Sequence, residues 1–198
     1  MKIDYNKVRE VKLRHLSSYI ERKDMKENFT DSVDTEHHYK LLSYISNQKD
    51  NQLIYELGTH YGLSAVAFST NKTNKIVTYD VVRRNTIQLP DNVEQRIGNI
   101  FELGQKDELL KADIIFLDTG HLGEFEIKIY TYLKNMNWKG ILICDDIHFN
   151  SFMKNFWNEI DVTKYDVTEI GHKENPIGPE DNTGTGIVDF NNQIEILK

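Results

Sequence analysis

Five carboxylates stand at the ends of short apolar runs: Glu56 in Leu53-Ile54-Tyr55-Glu56-Leu57, Asp80 after Ile76-Val77-Thr78-Tyr79, Asp118 after Ile114-Ile115-Phe116-Leu117, and Asp145-Asp146 after Ile141-Leu142-Ile143-Cys144. A carboxylate that ends a buried segment is costly unless a cation or a hydrogen-bond donor meets it. Asp118 and Asp145 lie 27 positions apart with one helix-forming stretch between them. If their strands are neighbours, about 4.8 Å apart, the acids converge into a hard-oxygen cluster. Such a cluster repels itself unless a cation sits in it, and it suits Mg²⁺ or another divalent cation held by carboxylates, waters and substrate oxygens. His121 follows Asp118 by three residues and His148 follows Asp146 by two, so either imidazole could take a proton from a substrate hydroxyl. The plainer alternatives are a helix cap for Asp145 or Asp146 and a surface loop for either histidine.

A second constellation is Glu56-Leu57-Gly58-Thr59-His60-Tyr61-Gly62-Leu63-Ser64. Gly58 permits a sharp turn, and Gly62 lets a ligand lie against the start of a helix whose free N–H groups favour polar or anionic groups. The spacing is Gly-x-x-x-Gly with an acid two residues ahead, which departs from the Gly-x-Gly-x-x-Gly of dinucleotide sites. Asp80, 24 residues after Glu56, stands where an acid accepts hydrogen bonds from ribose hydroxyls. Together these features point to an adenosine-type ligand without a diphosphate. A plain strand-to-helix turn and a solvated Asp80 are the competing readings.

These residues need strand ends to hold them. The spacing predicts a surface helix over 5–27, a second over 36–46 with Tyr39, Leu41, Leu42 and Ile45 on its apolar stripe, and then alternation. Strands are expected at 52–57, 75–81, 93–98, 112–118, 140–146, 165–170 and 184–190. Helices are expected at 63–69, 104–111, 124–135 and 149–160, and a polar loop at 172–183. Strands alternating with helices imply a Rossmann-like, doubly wound, mostly parallel sheet, in which ligands sit at the carboxyl ends of the strands. The last two strands have no helix between them and so predict an antiparallel edge hairpin. The division is an N-terminal helical segment, 1–50, and a Rossmann-like unit, 51–198, in one domain.

The chain has 198 residues with 24 Lys plus Arg against 31 Asp plus Glu, a formal charge of −7. That balance argues against nucleic acid as the main partner. No apolar run is long enough to span a bilayer, and the polar residues 1–5 show neither the apolar stretch nor the small-residue cleavage site of a secretory signal, so none is expected. The single cysteine, Cys144, excludes a disulfide framework. A reducing cytoplasm is the expected setting. The charged N-terminal helix is a candidate homodimer contact.

Over residues 52–160 the pattern resembles the class I S-adenosylmethionine-dependent O-methyltransferases, in particular the catechol O-methyltransferase-like and metal-dependent sugar or macrolide branches. The resemblance rests on Glu-Leu-Gly-x-x-x-Gly-x-Ser at 56–64, on Asp80, and on Asp118 with Asp145-Asp146. The segment 184–190 also looks like the last strand of small enzymes of this class. The resemblance implies that Glu56, Gly58, His60, Gly62 and Ser64 surround the methionine and ribose parts of S-adenosylmethionine. It implies that Asp80 takes the ribose hydroxyls, that Asn99 and Ile100 flank the adenine, and that Asp118, Asp145 and Asp146 hold Mg²⁺. His121 occupies the place of the catechol-type catalytic lysine, and Asp146 the place of an amide, as in the sugar-modifying relatives.

The expected function is therefore Mg²⁺-dependent methylation of a hydroxyl on a small molecule: a sugar, a phenol or another natural product. Asp118 would serve metal, cofactor and catalysis together, His121 would be the base, and the 172–183 loop, hinged at Gly171, Gly178 and Gly184, would close over the substrate. Two alternatives stay open: a cofactor-binding regulatory subunit without turnover, and a hydroxylase-like or NAD-dependent enzyme on the same scaffold.

Overall fold

The computed structural model describes residues 1–30, 36–84, 88–171 and 183–198. A seven-stranded sheet forms its centre, with the strands β2 (Leu53–Leu57), β3 (Lys75–Asp80), β4 (Val93–Ile97), β5 (Ile114–Leu117), β6 (Ile141–Asp145), β7 (Lys164–Asp166) and β8 (Thr185–Asp189). Their order is β4-β3-β2-β5-β6-β8-β7. The first five run parallel, and β8 is antiparallel to both β6 and β7. The expected Rossmann-like sheet with its antiparallel edge is what the chain forms. Order reverses between β2 and β5, the switch point at which such sheets open a crevice.

The apolar runs become strands because both faces of the sheet are covered. All four residues of β5 are buried, and Ile54, Phe116, Ile143 and Ile187 are fully so. The helices α4 (Leu63–Phe68), α5 (Glu124–Asn135) and α6 (Ser151–Glu159) follow β2, β5 and β6. The helix expected at 104–111 is a short 3₁₀ helix, Lys106–Lys111.

The N-terminal region differs from a single helix over 5–27. It is β1 (Lys2–Asp4), α1 (Tyr5–Glu10), a 3₁₀ turn Arg14–Tyr19 and α2 (Lys23–Thr30), followed by α3 (Glu36–Ser46). One continuous helix advancing about 100° per residue would put Met25 and Phe29 opposite Leu13, Leu16 and Ile20. All five are buried in one core with Phe68 and Phe116, so the chain must break. A parallel pair, β1 with β9 (Glu195–Leu197), ties the two ends together. The strand expected at 165–170 ends at Asp166 and continues as a 3₁₀ turn, Thr168–Gly171, because the Asp166 carboxylate caps the Thr168 N–H at 3.1 Å. The expected lid at 172–183 lies, except for Thr183, outside the described residues. No described helix is long and apolar enough to cross a membrane.

Candidate functional site

The carboxyl ends of β2, β3, β5 and β6 converge. After β2 the chain turns at Gly58 with φ +105°, and its N–H and that of Thr59 both reach the Tyr79 carbonyl, at 2.8 and 3.1 Å. Gly62, at φ +80°, stands at the start of α4. Between the glycines the His60 N–H donates to Asp80 Oδ2 at 2.7 Å, while the Val82 N–H donates to Asp80 Oδ1 at 3.0 Å. Both oxygens of Asp80 are thus oriented by main chain, and each keeps a free lone pair for a hydroxyl.

Glu56 is fully buried. Ser64 donates to its Oε1, and Oε2 has no partner. Burial is the main reason that its carboxyl is pushed up to about 8; the hydrogen bond from Ser64 acts the other way. A cation arriving nearby would reverse that shift.

A cavity of about 480 Å³ opens over these strand ends. Gly58, His60, Asp80, Asn99, Ile100, Asp118 and His121 all line it. Gly62, Ser64, Asp118 and Asp145 line a smaller neighbouring cavity, of about 50 Å³, together with His38 and Tyr39 of α3. The structure therefore gathers the predicted site residues at one end of the sheet, with Glu56 directly behind the loop. His148 lines neither cavity, and its Nε2 pairs with Asp166 at 2.7 Å.

On the acidic side, His121 Nε2 is buried 3.2 Å from Asp118 Oδ1 and 3.2 Å from Asp146 Oδ2, without the alignment of a hydrogen bond to either. Burial on its own would lower this imidazole, but Asp118, then Asp146 and Glu126, outweigh it and hold it above the ordinary histidine value. Asp145 is raised well above the carboxylate range by burial and by the charges of Asp118 and Asp146. Among the described residues no group of three or more His, Cys, Asp or Glu side chains is placed to hold a metal ion, so the structure does not show the Mg²⁺ site expected at Asp118, Asp145 and Asp146. Asp118, after β5, and Asp145 and Asp146, at the end of β6, repel one another there.

Sequence reasoning missed His38. Its Nδ1 lies 3.0 Å from Thr185 Oγ1 and 3.5 Å from Asp145 Oδ1, and its ring packs 5.6 Å from that of Phe116. It also missed Glu126 and Asn150, which bond the loop carrying His121. A polar residue on an otherwise apolar helix face was the available signal for His38.

No protein-family profile matches the chain, and no curated protein is detectably similar in sequence. Solved structures are similar in fold. An O-methyltransferase from Bacillus cereus in complex with S-adenosylhomocysteine aligns over 93% of this chain and 90% of its own, with TM-score 0.53 and 16% identity. The S-adenosylhomocysteine-bound methyltransferase PaMTH1 of Podospora anserina aligns over 88% and 92%, with TM-score 0.51 and 13% identity. MycE, a methyltransferase of the mycinamycin biosynthetic pathway in complex with Mg, S-adenosylhomocysteine and mycinamycin VI, aligns over 90% of this chain and 54% of its own, with TM-score 0.52 and 15% identity. The chain has the Rossmann-like fold that these methyltransferases share.

Proposed function

We propose that this protein is an S-adenosylmethionine-dependent O-methyltransferase acting on a hydroxyl of a small molecule. The observation that carries the reading is the placement of His121 between Asp118 and Asp146, on the rim of the cavity that Asp80, Asn99 and Ile100 also line. The similar structures support it through the cofactor product that the Bacillus cereus, Podospora anserina and MycE proteins hold.

S-adenosylmethionine would supply an electrophilic methyl group on a sulfonium. Asp80 would accept from the ribose hydroxyls, Asn99 and Ile100 would flank the adenine, and the turn at Gly58 to Ser64 would hold the methionine end. Glu56, neutral in the free chain near pH 7, would ionise under the incoming positive charge. Asp118, Asp145 and Asp146 would hold a divalent cation such as Mg²⁺, which would lower the pKa of the acceptor hydroxyl. His121 takes the hydroxyl proton while the oxygen attacks the methyl carbon; the sulfur–carbon electron pair returns to sulfur. The chain's contribution is alignment and charge, which together account for large accelerations without covalent chemistry.

The test is transfer of an isotopically labelled methyl group from S-adenosylmethionine to a panel of phenols, sugars and hydroxylated natural products, in wild type and His121→Ala. Transfer to oxygen that falls at least about 100-fold in the variant supports the reading. Transfer only to nitrogen or carbon, or undiminished transfer in the variant, contradicts it.

A further inference from the structure

The peptide groups on both sides of His121 are held by side chains from two other elements. The His121 N–H donates to Glu126 Oε1 at 3.2 Å, and the same oxygen accepts from Thr119 Oγ1 at 2.5 Å. The His121 carbonyl accepts from Asn150 Nδ2 at 2.8 Å. Between these two grips His121 sits at φ +54°, a left-handed conformation that a histidine keeps only where its surroundings enforce it. Asp146, one of the two carboxylates facing the ring, is likewise left-handed at φ +57°.

We propose that Asn150 and Glu126 are positioning residues for His121, gripping its backbone from α6 and α5 so that the imidazole stays between Asp118 and Asp146. Three observations carry this. Asn150 uses both ends of its amide: Oδ1 caps α6 through the Met153 N–H at 2.9 Å, and Nδ2 reaches His121. A cap alone would be served by Ser, Thr or Asp; Asp has no donor, and Ser or Thr has one oxygen, on a shorter side chain, where Asn150 uses two separate atoms. Glu126 is only 1% exposed and its Oε2 has no partner; leaving half a carboxylate unsatisfied is costly, and its other oxygen is spent wholly on the 119–121 loop. The ring itself stands edge-on to Phe149, centroids 5.6 Å apart, on the segment that leads into Asn150. The N-termini of the two helices therefore form a bracket around the base: at Gly123, φ +81°, an added Cβ would stand 3.0 Å from the Phe152 carbonyl oxygen.

The inference rests on His121 acting as the base, and its test is independent of the acceptor. In protein labelled with ¹³C and ¹⁵N histidine, the His121 ring signals are assigned by their loss in His121→Gln. Asn150→Asp and Asn150→Ser both keep a capping oxygen and both remove the Nδ2 that reaches the His121 carbonyl, Asp by replacing it with an acceptor and Ser by shortening the side chain. In each, the unfolding midpoint is expected to stay near wild type while the His121 ring loses the displacement imposed by Phe149 and moves toward the position of an exposed histidine. Unchanged His121 signals in both variants would overturn the positioning role. Methyl transfer that survives His121→Ala would instead overturn the underlying assignment of the base, so the two failures are distinguishable.

Discussion

The carbonyl oxygen of Asp118 lies 1.6 Å from where a Cβ on Gly58 would stand. The turn after β2 and the end of β5 are thus in backbone contact, with the Asp118 N–H bonded to the Leu57 carbonyl at 2.9 Å. This contact couples the cavity floor to the acidic cluster. Gly58→Ala must therefore push β5 outward as well as adopt a φ that alanine resists. A loss of more than about 3 kcal/mol is expected, measured by urea denaturation; a loss below about 1 kcal/mol would show that the two strand ends are not locked.

Asp80 is held by two amides and faces the cavity. Asp80→Ala is expected to weaken S-adenosylhomocysteine binding at least about tenfold, or about 1.4 kcal/mol. Calorimetry of the variant checks this, and an unchanged affinity would remove Asp80 from the cofactor site.

Glu56 predicts a pH dependence of stability. Its carboxyl is raised from 4.5 to about 8 in the folded chain, so the folded state binds the proton more tightly than the unfolded state does. Its contribution is favourable below about pH 4.5, declines as pH rises toward 8, and is flat beyond. The Glu56→Gln variant is expected to lose less stability than wild type between pH 5 and 8, by up to a few kcal/mol. Parallel stability profiles for the two proteins would contradict the assignment. Binding of S-adenosylhomocysteine, which carries an ammonium group, is expected to release a proton near pH 7 in wild type and none in Glu56→Gln, as read from calorimetry in buffers of different ionisation enthalpy.

The crowding of Asp145 by Asp118 and Asp146 predicts a response to divalent ions. Millimolar Mg²⁺ or Mn²⁺ is expected to raise the melting temperature of wild type. Asn in place of Asp145 relieves the repulsion, so Asp145→Asn is expected to melt higher than wild type without metal and to lose the response. An equal metal response in both proteins would place the ion elsewhere.

Much of this arrangement was legible in the sequence because it is local. The runs at 114–117 and 141–144 are apolar on both faces and too short for helices, so they read as buried strands, and the acids after them fall at the carboxyl edge of the sheet. The helix Glu124–Asn135 matches its expected bounds. What was not legible depends on distant contacts. His38 meets Thr185 across 147 positions, and Asn150 meets His121 across 29; no periodicity encodes such pairs. The breaks in the N-terminal helices arise because their apolar residues serve a core completed only by the sheet, and β1 and β9, three residues each, exist only through each other.

The most direct test of the central claim is a calorimetric titration of the purified protein with S-adenosylhomocysteine, which needs no knowledge of the acceptor. Saturable one-to-one binding in the micromolar range, weakened by Asp80→Ala, is the expected result. Absence of binding by the folded wild-type protein would contradict it and would leave the loop from Glu56 to Ser64 as an ordinary strand-to-helix turn.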